Sequence, residues 1–358
     1  MLYRVIDASE LPSLVSAFLE TYEVIAPVKS GMSHAYSTVE SFEEIALDYT
    51  ITITPLKKLF LPVRETLLTF DTETNDVTEY SEPVAPRVVF GAHACDINAL
   101  NSLDLVFRDG PYPDPYYTAR RNATLIVGIS CMPTDTCFCH LWGSDEARFG
   151  YDLFLQDIGG KYLVSISSVE AANILEAACS PREATDEERA EFRHVTRRRQ
   201  EAFNKEIPDI QEVAMLMDAF HSDPFWEELG GRCLSCTACA SACPTCYCFD
   251  IRDVRTPDGK HGSRERVWDC CTNPQFAVVA GGYNFRPDGR NRVRHRMYHK
   301  LNGFLATHDR MLCVGCGRCV RACKANINPI EVLKFFERKG ADDAEERCSL
   351  RNRGASLP

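Results

Sequence analysis

The sequence predicts an α+β protein: an N-terminal α/β domain with a partly parallel sheet, then a helical linker and a small cysteine-rich domain. Two short β-branched runs in the first half, "RVVFGAHACD" and "ATLIVGISCMP", have the composition of buried strands. A charged stretch follows, and two tight cysteine runs lie in the second half. The length of 358 residues is enough for two or three domains.

The α/β domain is assigned to residues 1–180. Between its two strand-like runs, "DINALNSLDLVF" has apolar residues at helical spacing from Ile97 onward, and Asp96 is placed to cap that helix. A strand, a helix and a second strand in this order predict a right-handed crossover with parallel neighbours. Cys95 and Cys131 should therefore leave the same edge of one sheet.

The remaining boundaries follow from changes in composition. Residues 181–229 are charged and helical in pattern, with Thr185 and Glu188 at the spacing of a capping box, which predicts a linker. The cysteine-rich domain is assigned to 230–335, with an insertion at 249–310. The last segment, 336–358, is predicted to be the end of a helix and a polar tail.

Charge and cysteine content limit the class of protein. The net charge is −11, so the chain as a whole repels nucleic acid and anionic membranes. The 18 cysteines are clustered, which favours metal binding in a reducing compartment over a disulfide framework. Because the sequence shows neither a signal peptide nor a long apolar run, we expect a soluble, cytoplasmic protein. It has no G-x-G-x-x-G or Walker loop that would indicate a nicotinamide, flavin or nucleotide site.

The two cysteine runs, 233–243 and 313–323, have the same spacing, C-x2-C-x2-C-x3-C. In bacterial ferredoxins this spacing gives three thiolates to one cluster and the fourth to the other. The sequence therefore predicts a ferredoxin-like domain with two [4Fe-4S] clusters. The predicted iron ligands are Cys233, Cys236, Cys239 and Cys323 for one cluster, and Cys313, Cys316, Cys319 and Cys243 for the other. Zinc is the alternative for such pairs, but two complete four-cysteine runs argue against it.

A weaker set of cysteines lies in the α/β domain, and we call it the N-terminal cysteine set: Cys95, Cys131, Cys137 and Cys139. Four thiols at one sheet edge could hold a third [4Fe-4S] cluster, and the start of the adjacent helix would favour its negative charge. Buried cysteines also serve as small apolar residues. Spacing alone leaves both interpretations open.

Two further features have no assigned role. Cys246, Cys248, Cys270 and Cys271 could hold another metal or pack as inert thiols, and packing is favoured. The arginine-rich stretch 286–300 has three interpretations: a docking face for an acidic partner or a balance for anionic clusters, a solvated helix face, or a nucleic-acid contact. The net negative charge of the whole chain argues against the nucleic-acid contact.

These motifs together resemble a known family. "GAHACDINAL", "CFC", "RCLSCTACASACPTCYCFDI", "WDCC", "GGYNFR", "RVRHRMYHK" and "LCVGCGRCVRAC" are similar to the beta subunit of soluble sulfhydrogenases and to the related iron–sulfur subunit of anaerobic sulfite reductase. The similarity runs from about residue 86 to 330. It implies that the N-terminal cysteine set also ligates a cluster. Cys271 matches a family cysteine, whereas Cys270 is an extra one.

The resemblance implies an iron–sulfur electron-transfer subunit of a cytoplasmic, anaerobic, multi-subunit oxidoreductase, with no catalytic residues of its own. It would relay electrons between a flavin/NAD(P)-binding subunit and a hydrogenase or sulfite reductase catalytic module. We therefore expect a hetero-oligomer that binds neither nucleic acid nor membrane. The alternatives are a relay for a heterodisulfide-reductase-type complex and, from another class, a zinc-stabilised interaction or nucleic-acid-binding module. The sequence leaves the terminal donor or acceptor, the direction of flow and the cluster potentials open.

Overall fold

The computed structural model describes residues 2–80, 83–203 and 210–354. The chain divides into two compact units that interleave in sequence. The first unit contains the described residues up to 203, together with Ser241–Cys270 and Val314–Arg318. The second contains the described residues of 205–240, Cys271–Cys313, and the described residues from Cys319 onward.

The strands of the described residues all belong to the first unit. They are β1 (Leu2–Asp7), β2 (Glu23–Ser30), β3 (Ser33–Thr38), β4 (Arg64–Asp71), β5 (Val77–Glu79), β6 (Arg87–His93), β7 (Thr124–Ile129), β8 (Leu153–Asp157), β9 (Lys161–Ile166), β10 (Phe249–Arg255) and β11 (His261–Trp268). They form a seven-stranded sheet of order β1-β9-β8-β7-β6-β2-β3 and a four-stranded sheet of order β10-β11-β4-β5.

Helices occur in both units. They are α1 (Leu11–Leu19), α2 (Ala94–Phe107), α3 (Pro115–Asn122), α4 (Val169–Ala178), α5 (Asp186–Glu201), α6 (Ile210–Ala219), α7 (Phe225–Arg232), α8 (Ala238–Ser241), α9 (Gly289–Leu301), α10 (Leu305–His308), α11 (Arg318–Ala322) and α12 (Pro329–Gly354). None of them, within the described residues, is both long and apolar enough to cross a membrane.

The large sheet confirms the predicted partly parallel topology. Strand β6 pairs in parallel with β2 and β7, and β7 pairs in parallel with β8, whereas the outer pairs are antiparallel. Val88 and Phe90 pack with α1 and α4 on one face, while Val89 and Ala92 pack with α2 on the other. Because β6 is buried on both faces, its sequence is almost continuously apolar.

Two predictions about helix starts have different outcomes. The capping box of α5 is confirmed, because the Thr185 hydroxyl accepts from the Glu188 amide and the Glu188 carboxylate accepts from the Thr185 amide. The prediction that Asp96 caps α2 is wrong. The N-cap is His93, the last residue of β6, and Asp96 lies buried in the first turn. Its carboxylate instead accepts two hydrogen bonds from Arg318.

The four-stranded sheet joins two distant parts of the sequence. The hairpin β10–β11 comes from the predicted insertion, and β11 pairs antiparallel with β4 from the N-terminal part. A buried ion-pair network accompanies this pairing: the Arg266 guanidinium on β11 binds the carboxylates of Glu65 on β4 and of Asp114 at the start of α3. The first part of the insertion is therefore built into the α/β unit.

The second unit has a core of aromatic rings. Trp226 on α7 is fully buried, and its ring centroid lies 5.4 Å from that of Phe336 on α12. Helices α7 and α9 touch at Gly230, where a Cβ would lie 2.2 Å from the backbone nitrogen of Arg290. This close contact brings α9 against the segment that carries the first cysteine run.

Candidate iron–sulfur sites

One pocket of the second unit is lined by cysteines from both runs. Cys233, Cys236 and Cys239 of the first run and Cys323 of the second line it together. These are the four residues that the sequence assigns to one cluster. Cys236 is exposed, so one side of this site, which we call the Cys233 pocket, reaches the surface. Cys319, which the sequence assigns to the other cluster, also lines this pocket, so five thiols surround it. Four thiols are the ligand set that an iron–sulfur cluster requires.

The backbone of both cysteine runs adopts the same unusual conformation. Ser235 and Thr237 in the first run have φ of 52° and 63°, and the matching Gly315 and Gly317 in the second have φ of 64° and 74°. Positive φ is costly for a side chain, above all for a β-branched one such as Thr237. Strain of this kind is retained where a site needs it.

The left-handed residues turn backbone amides toward the sulfur atoms. The Ser235 amide donates to Cys233 Sγ at 3.4 Å, and the Ile327 amide donates to Cys323 Sγ at 3.3 Å. Successive amides in such turns form concave sites for anions. Amide donors around thiolates are one of the means by which proteins tune a cluster's potential. The local backbone therefore suits an anionic cluster in the Cys233 pocket.

The arginine-rich stretch forms α9, and its charges divide between two faces. Arg292 and Arg296 are buried, and their guanidinium groups donate to Ser235 Oγ at 3.2 Å and to the Cys239 carbonyl at 3.3 Å. Arg296 also lines the Cys233 pocket. Arg290 binds the Glu227 carboxylate at 2.7 Å, and Arg294 donates to the His221 carbonyl at 2.9 Å. The buried face favours the interpretation that guanidinium groups balance an anionic cluster.

Of the four cysteines assigned to the other ferredoxin-type cluster, two belong to each unit. Cys243 and Cys316 belong to the first, and Cys313 and Cys319 to the second. Cys243 is buried, with its sulfur 3.5 Å from Thr245 Oγ1. The Cys313 amide donates to the Lys300 carbonyl, and Cys319 lines the Cys233 pocket.

Two members of the N-terminal cysteine set, Cys95 and Cys131, follow the carboxyl ends of the parallel neighbours β6 and β7, as predicted. Cys95 is in the first turn of α2, and Cys131 follows β7. Burial raises the pKa of Cys131 to about 12, and the neighbouring Cys137 contributes to this rise. Burial, then Cys131 and Cys137, raise the pKa of the Cys139 thiol. Burial also holds the pKa of Cys95 well above its usual range, with contributions from Asp96, Cys316 and Cys139.

Electrostatic interactions thus connect Cys139 with each of the other three thiols of the set. Ligand thiols must be deprotonated to bind iron, so a cluster here would have to displace protons from buried groups. Among the described residues, no three His, Cys, Asp or Glu side chains converge as ligands of a single metal ion would. A cubane differs, because each of its thiolates binds a separate iron atom.

The second cysteine run also reaches the N-terminal set. Val314–Arg318 belongs to the first unit, and Cys316 packs with Ala99, Val314 and Cys95. Gly315 fits against the backbone there: a Cβ would lie 2.5 Å from the Phe138 carbonyl oxygen. A predicted ligand of the dicluster motif thus packs against a predicted ligand from the N-terminal cysteine set.

The cysteines without an assigned role lie near the start and end of the β10–β11 hairpin. The Asp269 amide donates to the Cys248 carbonyl at 3.0 Å, and Cys270 and Cys271 are buried. The carbonyl of Cys246 accepts from the buried Lys57, whose ammonium also lies 4.2 Å from the centroid of the Trp268 ring. Sequence reasoning gave no signal for this buried lysine.

A pocket lined by cysteines of both runs, with left-handed loops in each run, is typical of iron–sulfur proteins of the two-cluster ferredoxin type. In agreement, residues 232–327 match a family model described as a 4Fe-4S dicluster domain. The chain is also 36% identical over 336 residues to sulfhydrogenase 2 subunit beta of Pyrococcus furiosus, covering 93% of this chain and 98% of that protein. The chain therefore belongs to the sulfhydrogenase beta-subunit family, which confirms the resemblance seen in the sequence. No solved structure matches it.

Proposed function

We propose that this chain is the electron-relay subunit of a hetero-oligomeric oxidoreductase and that it holds three [4Fe-4S] clusters. The observation that carries the proposal is the convergence of Cys233, Cys236, Cys239 and Cys323 in one pocket. Membership of the sulfhydrogenase family supports the relay role. The partners are a flavin/NAD(P)-binding subunit and a hydrogenase or sulfite reductase catalytic module.

The ligands follow from the sequence spacing and the placement of the thiols. Each cluster supplies one-electron chemistry when bound, and no side chain has to make or break a covalent bond to substrate. The proposed ligands are Cys233, Cys236, Cys239 and Cys323 for the first cluster, Cys313, Cys316, Cys319 and Cys243 for the second, and Cys95, Cys131, Cys137 and Cys139 for the third.

The polypeptide stabilises the additional negative charge of a reduced cluster. Around the Cys233 pocket, this is done by the backbone amides near Ser235 and by the buried guanidinium of Arg296. Around the N-terminal set, Arg318 lies close enough to Cys95 and Cys316 for electrostatic interaction.

Metal analysis of anaerobically purified protein tests the proposal. Three cubanes require about 12 iron and about 12 acid-labile sulfide per chain. Iron near eight would support two clusters and refute the third. Zinc without acid-labile sulfide would refute the relay function. Copurification of a flavoprotein with a hydrogenase or sulfite reductase module, identified by mass spectrometry, tests the partners.

The crossed assignment of ligands has a separate test. Cys323→Ser should alter the spectrum of the cluster in the Cys233 pocket, because Cys323 lines that pocket with the first run. Cys179→Ser is the matched control, since the Cys179 sulfur donates to the Glu10 carbonyl away from the proposed ligand sets. If Cys323→Ser and Cys313→Ser disturb the same centre and leave that of Cys233→Ser intact, the crossed assignment is wrong.

A further inference from the structure

A buried ion pair links the second cysteine run to the N-terminal cysteine set. Arg318 lies between Cys316 and Cys319 in sequence, and Asp96 directly follows Cys95. The guanidinium donates to both carboxylate oxygens of Asp96, at 2.8 and 2.7 Å. The side chains of Arg318 and Asp96 are 2% and 0% exposed. The geometry is that of a bidentate pair, the most specific form of Arg–carboxylate contact.

Arg318 makes two further hydrogen bonds within the first unit. Its guanidinium donates to the Thr52 carbonyl at 3.2 Å and to the Thr52 hydroxyl at 2.9 Å. Such a pair is weak evidence for stability, because desolvation of two charges offsets most of their attraction. Buried ionic groups are better attested as devices that fix one arrangement of neighbouring elements. What this pair fixes is the position of the Cys316 loop relative to the Cys95 turn.

The contacts around the pair agree with that role. Cys95 packs against the buried cluster of Ala99, Val314 and Cys316. The Phe138 amide donates to the Gly315 carbonyl at 2.8 Å, and Gly317 has space only for a hydrogen, since a Cβ would lie 2.5 Å from the Thr136 carbonyl oxygen. The loop of the second run therefore follows the segment that carries the N-terminal thiols.

We propose that Arg318 and Asp96 are positioning residues that hold the loops carrying Cys95 and Cys316 together. These two loops are then the point at which electrons pass between the N-terminal and dicluster sites. The inference rests on the proposed function. Clusters held at these loops would supply one-electron transfer, in which one cluster would be oxidised and its neighbour reduced by the same electron, with no bond or proton exchanged. The rate of such transfer falls exponentially with distance, so small displacements of either loop matter.

Arg318 and Asp96 together carry no net charge. Replacing both therefore tests their positioning role without changing the net charge beside the two loops. Removing one partner would leave an uncompensated buried charge and destabilise the fold. Replacing both by apolar side chains, Arg318→Met with Asp96→Leu, removes the link without leaving a charge behind. The double variant should therefore keep its iron while the two loops lose their fixed spacing.

The experiment compares the double variant with wild-type full-length protein, purified anaerobically. In fully reduced samples we expect weaker magnetic interaction between clusters in electron paramagnetic resonance spectra. After rapid mixing with substoichiometric dithionite, electron equilibration among clusters should be several-fold slower. Arg266→Lys is the control, because it weakens another buried Arg–carboxylate network, with Glu65, that touches no proposed ligand. It should change neither property.

Each outcome has a defined meaning. If the double variant keeps three clusters with unchanged magnetic interaction and equilibration rate, the positioning role is refuted and the proposed function stands. If Cys131→Ser leaves the iron content of the chain unchanged, the third cluster is refuted and this inference fails with it. If the double variant does not fold, Arg318→Lys is used, which keeps the charge but loses the bidentate contact. It should show a smaller change in the same direction, and no change would refute the role.

Discussion

Replacing Arg296 by methionine should lower the reduction potential of the cluster in the Cys233 pocket. Arg296 is 4% exposed, lines this pocket and donates to the Cys239 carbonyl at 3.3 Å. A nearby positive charge stabilises the reduced cluster more than the oxidised one, because the reduced form carries one more negative charge. Methionine fills a similar volume without that charge.

The size of the effect follows from Coulomb's law. Two unit charges about 7 Å apart, at an effective dielectric constant of about 20, interact with an energy of about 2.4 kcal/mol, which corresponds to about 100 mV for one electron. The exposed side of the pocket at Cys236 allows some screening by water. We therefore expect a fall of about 50 to 100 mV.

The assay is a potentiometric titration followed by electron paramagnetic resonance, with iron content measured on the same sample. Arg294→Met is the matched control, because Arg294 is on the same helix but donates to the His221 carbonyl instead. Arg296→Lys should recover most of the potential. Equal small shifts in both methionine variants, with iron retained, would refute the electrostatic role of Arg296.

Three further predictions concern the loops and the linker. Gly315→Ala should reduce iron content and thermal stability far more than Gly281→Ala. Both glycines have positive φ, but of the two only Gly315 lies against backbone atoms. Equal effects of the two substitutions would show that crowding at Gly315 is unimportant. Thr237→Gly should raise the stability of the metal-free chain by about 1 kcal/mol, through relief of left-handed strain, and a loss of stability in a denaturant titration would contradict this. Glu188→Gln should destabilise the chain at pH 7, because hydrogen bonds from Arg182, then Lys161, lower the pKa of Glu188 below its ordinary value of 4.5. The stability that ionised Glu188 contributes is present above pH 4.5 and is lost as the pH falls below that value. The melting temperatures of the variant and the wild type should therefore converge in acid. A difference that stays constant with pH would refute this dependence.

The parts of the fold that the sequence predicts are those set by local pattern. Strands β6 and β7 with α2 follow from apolar periodicity, and the grouping of Cys323 with the first run follows from a known spacing. The prediction that Asp96 caps α2 was wrong because Arg318, 222 residues further along the chain, binds the Asp96 carboxylate. Nothing in the local sequence reveals such a partner.

Other features escaped prediction for similar reasons. The pairing of β11 with β4 depends on tertiary contacts between segments that are far apart in the chain. The left-handed conformation of Thr237 contradicts the residue's own preference, so its composition gives no signal. The glycines at the matching positions of the second run were the available hint. The burial of Arg292 and Arg296 escaped prediction because charged side chains are usually exposed, so a basic stretch gives no local sign of its buried face.

The interleaved chain has a consequence for biogenesis. Neither the Cys233 pocket nor the contact between Arg318 and Asp96 can form before the second cysteine run has left the ribosome. Until then a nascent chain presents the thiols of its earlier segments without their partners, and these are vulnerable to oxidants and to the wrong metals. Completion of the Cys233 pocket must therefore follow synthesis of the second run, and a chain truncated ahead of it would lack Cys323.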